Sequence, residues 1–202
     1  MSPLSALIGL SDTPFYYNGH TMTELAFLAE EVQANERTLR RAANRGTIRC
    51  NREGPRKISL PRGEYDYLRT CWPLLARLVG VLRTLPAVRL AVLYGSLARG
   101  EGRSDSDVDL LVRFRDDTIR ARALVVERLE RAVGRRVQLV GIESAPPLLL
   151  ADVLRDGRAL VDRDGEWPGL KATEHRIVRE AAVAESELAD AAWAALEELG
   201  IP

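Results

Sequence analysis

The sequence predicts an α+β protein of two modules: a helical N-terminal module with two short strands, and a C-terminal α/β core followed by a helix. Three observations support this. Residues suited to cap helices flank two short apolar-periodic segments near the N-terminus. Strand and helix patterns alternate after residue 87. The last stretch of the sequence is rich in Ala and Glu. The predicted boundaries are an N-terminal domain over 1–64, a connector helix over 65–86, the core over 87–165 and a C-terminal helix over 166–202.

The first module begins with two predicted helices joined by a tight turn. Apolar spacing indicates a helix over 23–32, and Asn35 is suited to cap a second helix over 36–44. Two short strands, over 47–50 and 57–60, are predicted around a tip rich in turn-forming residues. Helix, turn, helix and a two-stranded wing follow one another in the order of a winged helix-turn-helix.

The second predicted helix and the tip are basic. The spacing i, i+3, i+4, i+7 places on one helix face Arg37, Arg40, Arg41 and Asn44. The segment LAEEVQANERTLRRAANRGTIR resembles bacterial helix-turn-helix regulators, which usually bind as dimers. The resemblance implies that this face enters the major groove of DNA, its own operator, while Arg56 and Lys57 contact phosphates. The alternative is a solvated basic face that docks a protein or another subunit.

The remaining elements form a connector and a core. The connector helix is expected over 65–85, with an interruption near Trp72-Pro73. The core and tail are then predicted as a strand over 88–94, a short helix over 97–100, a strand from 109 to 114, a helix over 118–133, a strand over 136–140, a helix over 148–155, a strand over 159–161 and a final helix over 170–199.

Composition argues against several classes of protein. No apolar run approaches the length of about 18 residues that a membrane span needs, and the N-terminus lacks the basic start of a secretion signal. Cys50 and Cys71 are far apart and form no metal-binding motif, so free thiols are expected. These features predict a cytoplasmic protein with no membrane partner.

The stretch 95-GSLARGEGRSDSDVDLLVRF-114 carries the clearest chemical pattern. Side chains on a strand alternate, so Asp107 and Asp109 point to one side. Paired carboxylates of this kind suit Mg²⁺, or Mn²⁺, with further ligands from substrate phosphates. Gly95 and Ser96 lie where a strand leads into a helix, and this location favours a phosphate. Two arginines are placed to add charge-assisted contacts, namely Arg99 and Arg103.

A Gly-Ser pair, ten residues and then Asp-x-Asp form the signature of the DNA polymerase β-like nucleotidyltransferases. Residues 88–162 resemble most closely the minimal nucleotidyltransferases of bacterial toxin–antitoxin pairs. The resemblance implies that the Gly-Ser pair holds the triphosphate of ATP or another nucleoside triphosphate, and that Asp107 and Asp109 bind metal. It also implies a third carboxylate on the next strand, which completes the site and activates the acceptor, and attack on the α-phosphate with loss of pyrophosphate.

The third strand departs from this pattern. Where the family has V-D-L-V, the chain has Val137-Gln138-Leu139-Val140, so an amide replaces the third carboxylate. Gln138 can coordinate through its carbonyl oxygen, but it adds no charge and cannot act as a base. Glu143 lies past the strand end and substitutes only if the loop folds back.

Three functions remain open. The first is a DNA-binding nucleotidyltransferase, antitoxin-like or autoregulatory, that transfers AMP from ATP to a hydroxyl of a partner protein, such as a toxin from a neighbouring gene. The second is a catalytically degenerate domain that senses nucleotide or binds a partner, with DNA binding as its main output. The third is nucleotidylation of a small molecule, as in aminoglycoside-modifying relatives, which leaves the basic first module unexplained.

Overall fold

The structure is a computed structural model that describes residues 15–17, 20–52 and 58–198. It divides the chain into two compact units, one up to Ala76 and one from Arg77. No helix within the described ranges combines the length and the apolar character that a membrane span requires.

The first unit contains the two predicted short helices and two pairs of strands. Strands β1 (Phe15–Tyr17) and β2 (His20–Met22) pair antiparallel, a hairpin that the sequence pattern did not predict. Helices α1 (Glu24–Glu31) and α2 (Glu36–Arg45) follow. Strands β3 (Asn51–Arg52) and β4 (Ile58–Ser59) pair antiparallel. The tip between them, with Arg56 and Lys57, lies outside the described residues.

Side-chain caps define both short helices. Thr23 accepts a hydrogen bond from the backbone N–H of Ala26, and Asn35 accepts one from the N–H of Arg37. Gly46, with φ of 90°, ends α2 in the left-handed conformation. The strand predicted over 47–50 is wrong. The N–H groups of Thr47 and Ile48 both donate to the carbonyl of Ala42, so this segment closes the end of α2 instead of pairing with β4.

Helix α3 (Arg62–Arg83) is continuous, so the predicted interruption near Trp72-Pro73 is wrong. Proline removes one N–H donor, but the helix is anchored on either side of Pro73 by the buried side chains of Leu68 and Leu75. Tertiary burial therefore outweighs the local preference of proline against a helix interior.

The second unit is built on a four-stranded mixed sheet. In chain order it contains β5 (Val88–Tyr94), α4 (Gly95–Arg99), β6 (Val108–Phe114), α5 (Ile119–Val133), β7 (Val137–Gly141), a 3₁₀ turn (Ile142–Ser144), α6 (Pro147–Asp156), β8 (Arg158–Asp162), α7 (Trp167–Ala172) and α8 (Glu174–Glu198). The strand order is β7-β6-β5-β8. Strand β5 is antiparallel to both of its neighbours, and β6 is parallel to β7.

The predicted final helix is two helices. The carboxylate of Asp162 accepts hydrogen bonds from the backbone N–H groups of Glu166 and Trp167, which starts α7 earlier than predicted. The chain then breaks at Thr173, whose hydroxyl donates to the carbonyl of Leu170. Helix α8 begins at Glu174 and packs on α6, so one face of the sheet is covered by α6, α7 and the start of α8.

Candidate functional site

Asp107 and Asp109 lie where β6 begins, beside the end of β5. The antiparallel register pairs Asp109 with Tyr94, the last residue of β5. Partial burial raises the pKa of the Asp109 carboxyl, and the negative charge of Asp107 raises it further. Two carboxylates whose charges reach each other in a partly buried position are a site that a bound cation stabilises.

Gly95 is required at its position for two separate reasons. Its φ is +72°, in the left-handed region that side chains rarely adopt. A Cβ atom at this position would also lie 2.5 Å from Oδ2 of Asp109. The missing side chain therefore lets the backbone of the Gly-Ser turn approach the carboxylate directly.

Ser96 belongs to a short helix whose backbone a buried arginine contacts. It is the second residue of α4, which begins two residues earlier than predicted. Arg158, only 1% exposed, donates from Nε to the carbonyl oxygen of Ala98 at 2.7 Å. This bond holds the backbone of α4 two residues after Ser96. The sequence analysis did not identify Arg158. The feature that could have indicated it is a basic residue at the first position of an otherwise apolar strand.

The loop that leads into Asp107 is also restrained by an arginine that sequence reasoning missed. The N–H of Arg103 donates to Oγ of Ser106 at 2.8 Å. Arg135, which follows α5, donates from Nη1 to the carbonyl oxygens of Arg103 at 2.7 Å and of Ser106 at 3.2 Å. These bonds fix the backbone immediately before Asp107.

The two arginines predicted to touch phosphate are exposed at the surface of this loop region. Nε of Arg99 donates to Oε2 of Glu101 at 2.8 Å, so its guanidinium already has a carboxylate partner. Arg99 can therefore contact a phosphate only if its guanidinium releases the carboxylate of Glu101. The backbone of Arg103, by contrast, is part of the restrained loop that precedes Asp107.

Gln138 lies at the site, where its side chain contacts the carboxylate of Asp107. It is the register partner of Asp109 in the parallel β6–β7 pair, and its Nε2 donates to Oδ2 of Asp107 at 2.8 Å. Glu143 does not replace the missing carboxylate. Its carboxylate accepts from Nη1 of Arg113 at 2.7 Å, near the far end of β6 from Asp107.

The donor set fits one divalent cation. Within the described part of the chain, no cluster of three or more His, Cys, Asp or Glu side chains is suited to hold a metal. Asp107 and Asp109 provide two hard oxygen ligands, and Mg²⁺ commonly completes its shell with water and phosphate oxygens. A second cation would find only the neutral amide of Gln138 in place of a carboxylate.

The predicted DNA-binding residues of α2 are at the protein surface. Arg37 and Arg41 are exposed. Arg40 forms an ion pair with Glu36, with Nη2 to Oε1 at 2.7 Å. Asn44 accepts a hydrogen bond at 2.9 Å from Nη2 of Arg52, which ties β3 to the end of α2. Arg37 and Arg41 are therefore the most accessible cations of this face.

Comparison with known proteins identifies relatives of the second unit. Residues 77–166 match the family described as "Polymerase beta, Nucleotidyltransferase". The protein adenylyltransferase MntA of Thermococcus cleftensis is 38% identical over 76 residues, which are 37% of this chain and 77% of the relative.

A solved structure with a TM-score of 0.50 shares the fold of this region. A crystal structure of the toxin-antitoxin with AMP-PNP is 22% identical, covers 59% of this chain and 98% of its own, and has a TM-score of 0.50. The tri-AMPylated Shewanella oneidensis HEPN toxin in complex with MNT antitoxin matches at 20% identity over 60% of this chain and 98% of the other, with a TM-score of 0.47. The chain belongs to the polymerase beta nucleotidyltransferase family, and MntA is among its relatives.

Proposed function

We propose that this protein is an antitoxin-type nucleotidyltransferase that transfers AMP from ATP to a hydroxyl of a partner protein, a toxin encoded by a neighbouring gene. The observation that carries the proposal is the convergence of Asp107 and Asp109 on a Gly-Ser turn, with no room for a side chain at Gly95. The MntA relative is named a protein adenylyltransferase, which supports both AMP as the transferred group and a protein as the acceptor.

In this proposal the chain's own residues bind and orient the reactants. Asp107 and Asp109 hold Mg²⁺, which when bound neutralises charge on the phosphates. Gly95 and Ser96 receive the triphosphate against the backbone. The acceptor oxygen forms a bond to the α-phosphorus while the bond to the bridging oxygen of the β-phosphate breaks, and pyrophosphate leaves. The hydroxyl proton passes to solvent, because the amide of Gln138 cannot accept it.

Asp109→Asn tests this assignment. Changes around a metal ligand typically cost 10- to 100-fold, so loss of a ligand is expected to slow transfer by at least about 100-fold. The measurement is transfer of label from α-labelled ATP to the neighbouring gene's product in the presence of Mg²⁺. Asp105→Asn is the matched control, because Asp105 is an exposed carboxylate of the same loop. Labelling by Asp109→Asn at the wild-type rate contradicts the proposal.

A second candidate function is nucleotide binding without turnover. The hydrogen bond from Nε2 of Gln138 to Asp107 favours it, since an uncharged donor occupies the place of the activating carboxylate. In that case the wild-type protein binds Mg²⁺-AMP-PNP in calorimetry but labels no acceptor. The domain then senses nucleotide or holds its partner.

We also propose that the first unit is a winged helix-turn-helix that binds the protein's own operator and makes the protein autoregulatory. The supporting observations are the exposed Arg37 and Arg41 on α2 and the antiparallel β3–β4 pair that follows. Two backbone N–H groups that flank this strand pair donate to glutamate side chains. The N–H of Leu60 donates to Glu24 at 2.6 Å, and the N–H of Arg49 donates to Glu64 at 3.0 Å.

Loss of either exposed arginine is expected to weaken operator binding in a salt-dependent way. Each phosphate contact contributes about one unit to the slope of log affinity against log salt, so Arg37→Ala and Arg41→Ala should each lower the slope by about one. Fluorescence anisotropy with a labelled operator fragment at several salt concentrations measures the slope. Arg69→Ala is the control, because Arg69 is an arginine of α3 that pairs with Glu31 and is not part of the α2 face. Salt-independent binding would instead indicate that the basic face docks a protein.

A further inference from the structure

Strand β7 forms one edge of the four-stranded sheet, and part of its backbone faces away from the sheet. The carbonyl of Arg136 accepts a hydrogen bond from the N–H of Val108 on β6. Successive residues of a strand direct their N–H and C=O groups to alternate sides, so the groups of Val137, Leu139 and Gly141 point outward. An open edge of this kind is a template for pairing with another strand.

Two of these outward groups are already bonded within the chain. The N–H of Val137 donates to Oε1 of Glu130 on α5 at 3.1 Å, and the carbonyl of Gly141 accepts from Oγ of Ser144 at 3.1 Å. Within the described residues, no bond is formed by the carbonyl of Val137, by either group of Leu139 or by the N–H of Gly141. Two antiparallel copies of β7 that pair about Leu139 would satisfy each of these remaining groups.

An apolar groove runs beside this edge, between β7 and α5. Its volume is about 490 Å³. We call it the α5–β7 groove, and its lining includes Ile119, Arg122, Ala123, Val126, Glu130 and Leu139. At 100° per residue, these positions of α5 lie within one sector of about 100°. Ile119 is 89% exposed. An apolar groove beside an open strand edge is typical of strand addition by another polypeptide.

The helix and the strand that form the groove share one centre of symmetry. Glu130 lies level with Val137 through its hydrogen bond. At the other end, Arg122 lies against Gly141, where a Cβ atom would be 2.5 Å from Nη2 of the arginine. The midpoints of these two pairs are Val126 on α5 and the central residue of β7. A single two-fold axis at this level therefore relates both elements to those of a second copy in antiparallel directions.

The charges of the groove have opposite signs at its two ends. Arg122 lies at one end, and Glu130 lies at the other end with Glu127 at the border. An antiparallel second copy brings Arg122 level with Glu130 of that copy, whereas a parallel one would bring like charges together. Arg122 also pairs with Asp117, and Glu127 pairs with Arg131, so no uncompensated repulsion opposes the contact.

We propose that the α5–β7 groove and the edge of β7 bind a second copy of this chain, which extends the sheet across a two-fold axis. Leu139 of each copy exchanges both backbone hydrogen bonds with its counterpart, and the N–H of Gly141 donates to the carbonyl of the second copy's Val137. On the other face of the sheet, this pairing sets Val140 of the second copy beside Gln138, so that copy borders the candidate site. The dimer forms whether or not the chain transfers AMP.

Sedimentation velocity of the full chain over a range of concentrations measures the dimer. Ala123→Glu is expected to raise the dissociation constant by about 100-fold, because the axis places this position on the turn of the second copy's α5 that carries Glu130. Ala123→Lys should be tolerated better, since the new ammonium meets that carboxylate. Leu124→Glu is the matched control and should stay within about threefold. Leu124 is exposed but lies about 160° around α5 from Val126.

A symmetric cross-link tests the axis itself. The axis places residue 126 against its own counterpart, so a short bismaleimide should join two copies of Val126→Cys. The variant is made in a chain with Cys50→Ser and Cys71→Ser, which removes both native thiols. Leu124→Cys in the same background should stay monomeric on a denaturing gel. Far-UV circular dichroism confirms that each variant keeps its secondary structure.

Several outcomes overturn the proposal. These are a wild-type chain that sediments as a monomer at every concentration, equal losses for Ala123→Glu and Leu124→Glu, and equal cross-linking at the two cysteine positions. If the chain alone is monomeric and Ala123→Glu instead loses the neighbouring gene's product, the groove holds that protein and not a second copy. Asp109→Asn should abolish labelling and keep the dimer, so the transfer reaction and the dimer fail separately.

Discussion

Gln138→Asp is expected to raise the rate of AMP transfer by about 100-fold, the lower end of what a positioned general base contributes. Nε2 of Gln138 already lies 2.8 Å from Oδ2 of Asp107, and the parallel register places the residue beside Asp109. An aspartate on this strand adds a charged ligand and a group able to accept the proton of the attacking hydroxyl. The initial rate of label transfer from α-labelled ATP measures the effect.

Gln138→Asn is the control for this substitution, because it has the same side-chain length as aspartate but remains a neutral amide. It should show no gain in rate. A second readout is thermal unfolding. Three carboxylates at one site repel one another, so Gln138→Asp should lower the melting temperature without Mg²⁺ and show a larger stabilisation by Mg²⁺ than wild type. If the Asp and Asn variants transfer AMP equally, residue 138 does not limit catalysis.

Gly95→Ala is expected to abolish nucleotide binding and to lower the free energy of unfolding. A φ of +72° costs a residue with a Cβ about 1–2 kcal/mol. The new methyl group would in addition lie 2.5 Å from Oδ2 of Asp109, so the carboxylate or the turn must move. Calorimetric titration with Mg²⁺-AMP-PNP measures binding, and chemical denaturation measures stability.

Gly134→Ala separates backbone strain from the steric clash. Gly134 has a φ of +66°, close to that of Gly95, but a Cβ there would meet nothing within 4 Å. Both substitutions should carry the cost of the positive φ, and Gly95→Ala should be the more destabilising because of its clash with Asp109. Only Gly95→Ala should lose the nucleotide. Retained nucleotide binding by Gly95→Ala would argue against the Gly-Ser turn as the triphosphate site.

The parts of the fold that local patterns determine could be predicted from the sequence. Strand β5 has the predicted bounds, because its β-branched and apolar run is bounded by Pro86 and Gly95. Helix α5 begins directly after its cap Thr118 and ends at Gly134, as its amphipathic spacing indicates. Local alternation also predicts that Asp107 and Asp109 lie close together, and in the structure Asp107 is the residue immediately before β6.

The parts that depend on distant contacts could not be predicted. Arg135 reaches back to the carbonyl of Arg103, and no local pattern identifies that partner. The family resemblance predicts Gln138 at the site, but its hydrogen bond to Asp107 depends on the register between β6 and β7, which local patterns do not reveal. The continuity of α3 through Pro73 similarly accompanies the burial of Leu68 and Leu75, which local pattern alone does not indicate.

The buried Arg158 determines how far the chain must extend for the site to form. Its hydrogen bond to Ala98 joins positions 60 residues apart, and it is the first residue of the edge strand β8. A fragment cut after β7 would keep every residue of the Gly-Ser and Asp-x-Asp motif, yet α4 would lose this support. A fragment that keeps this support for α4 therefore extends through β8, well beyond the Gly-Ser and Asp-x-Asp motif.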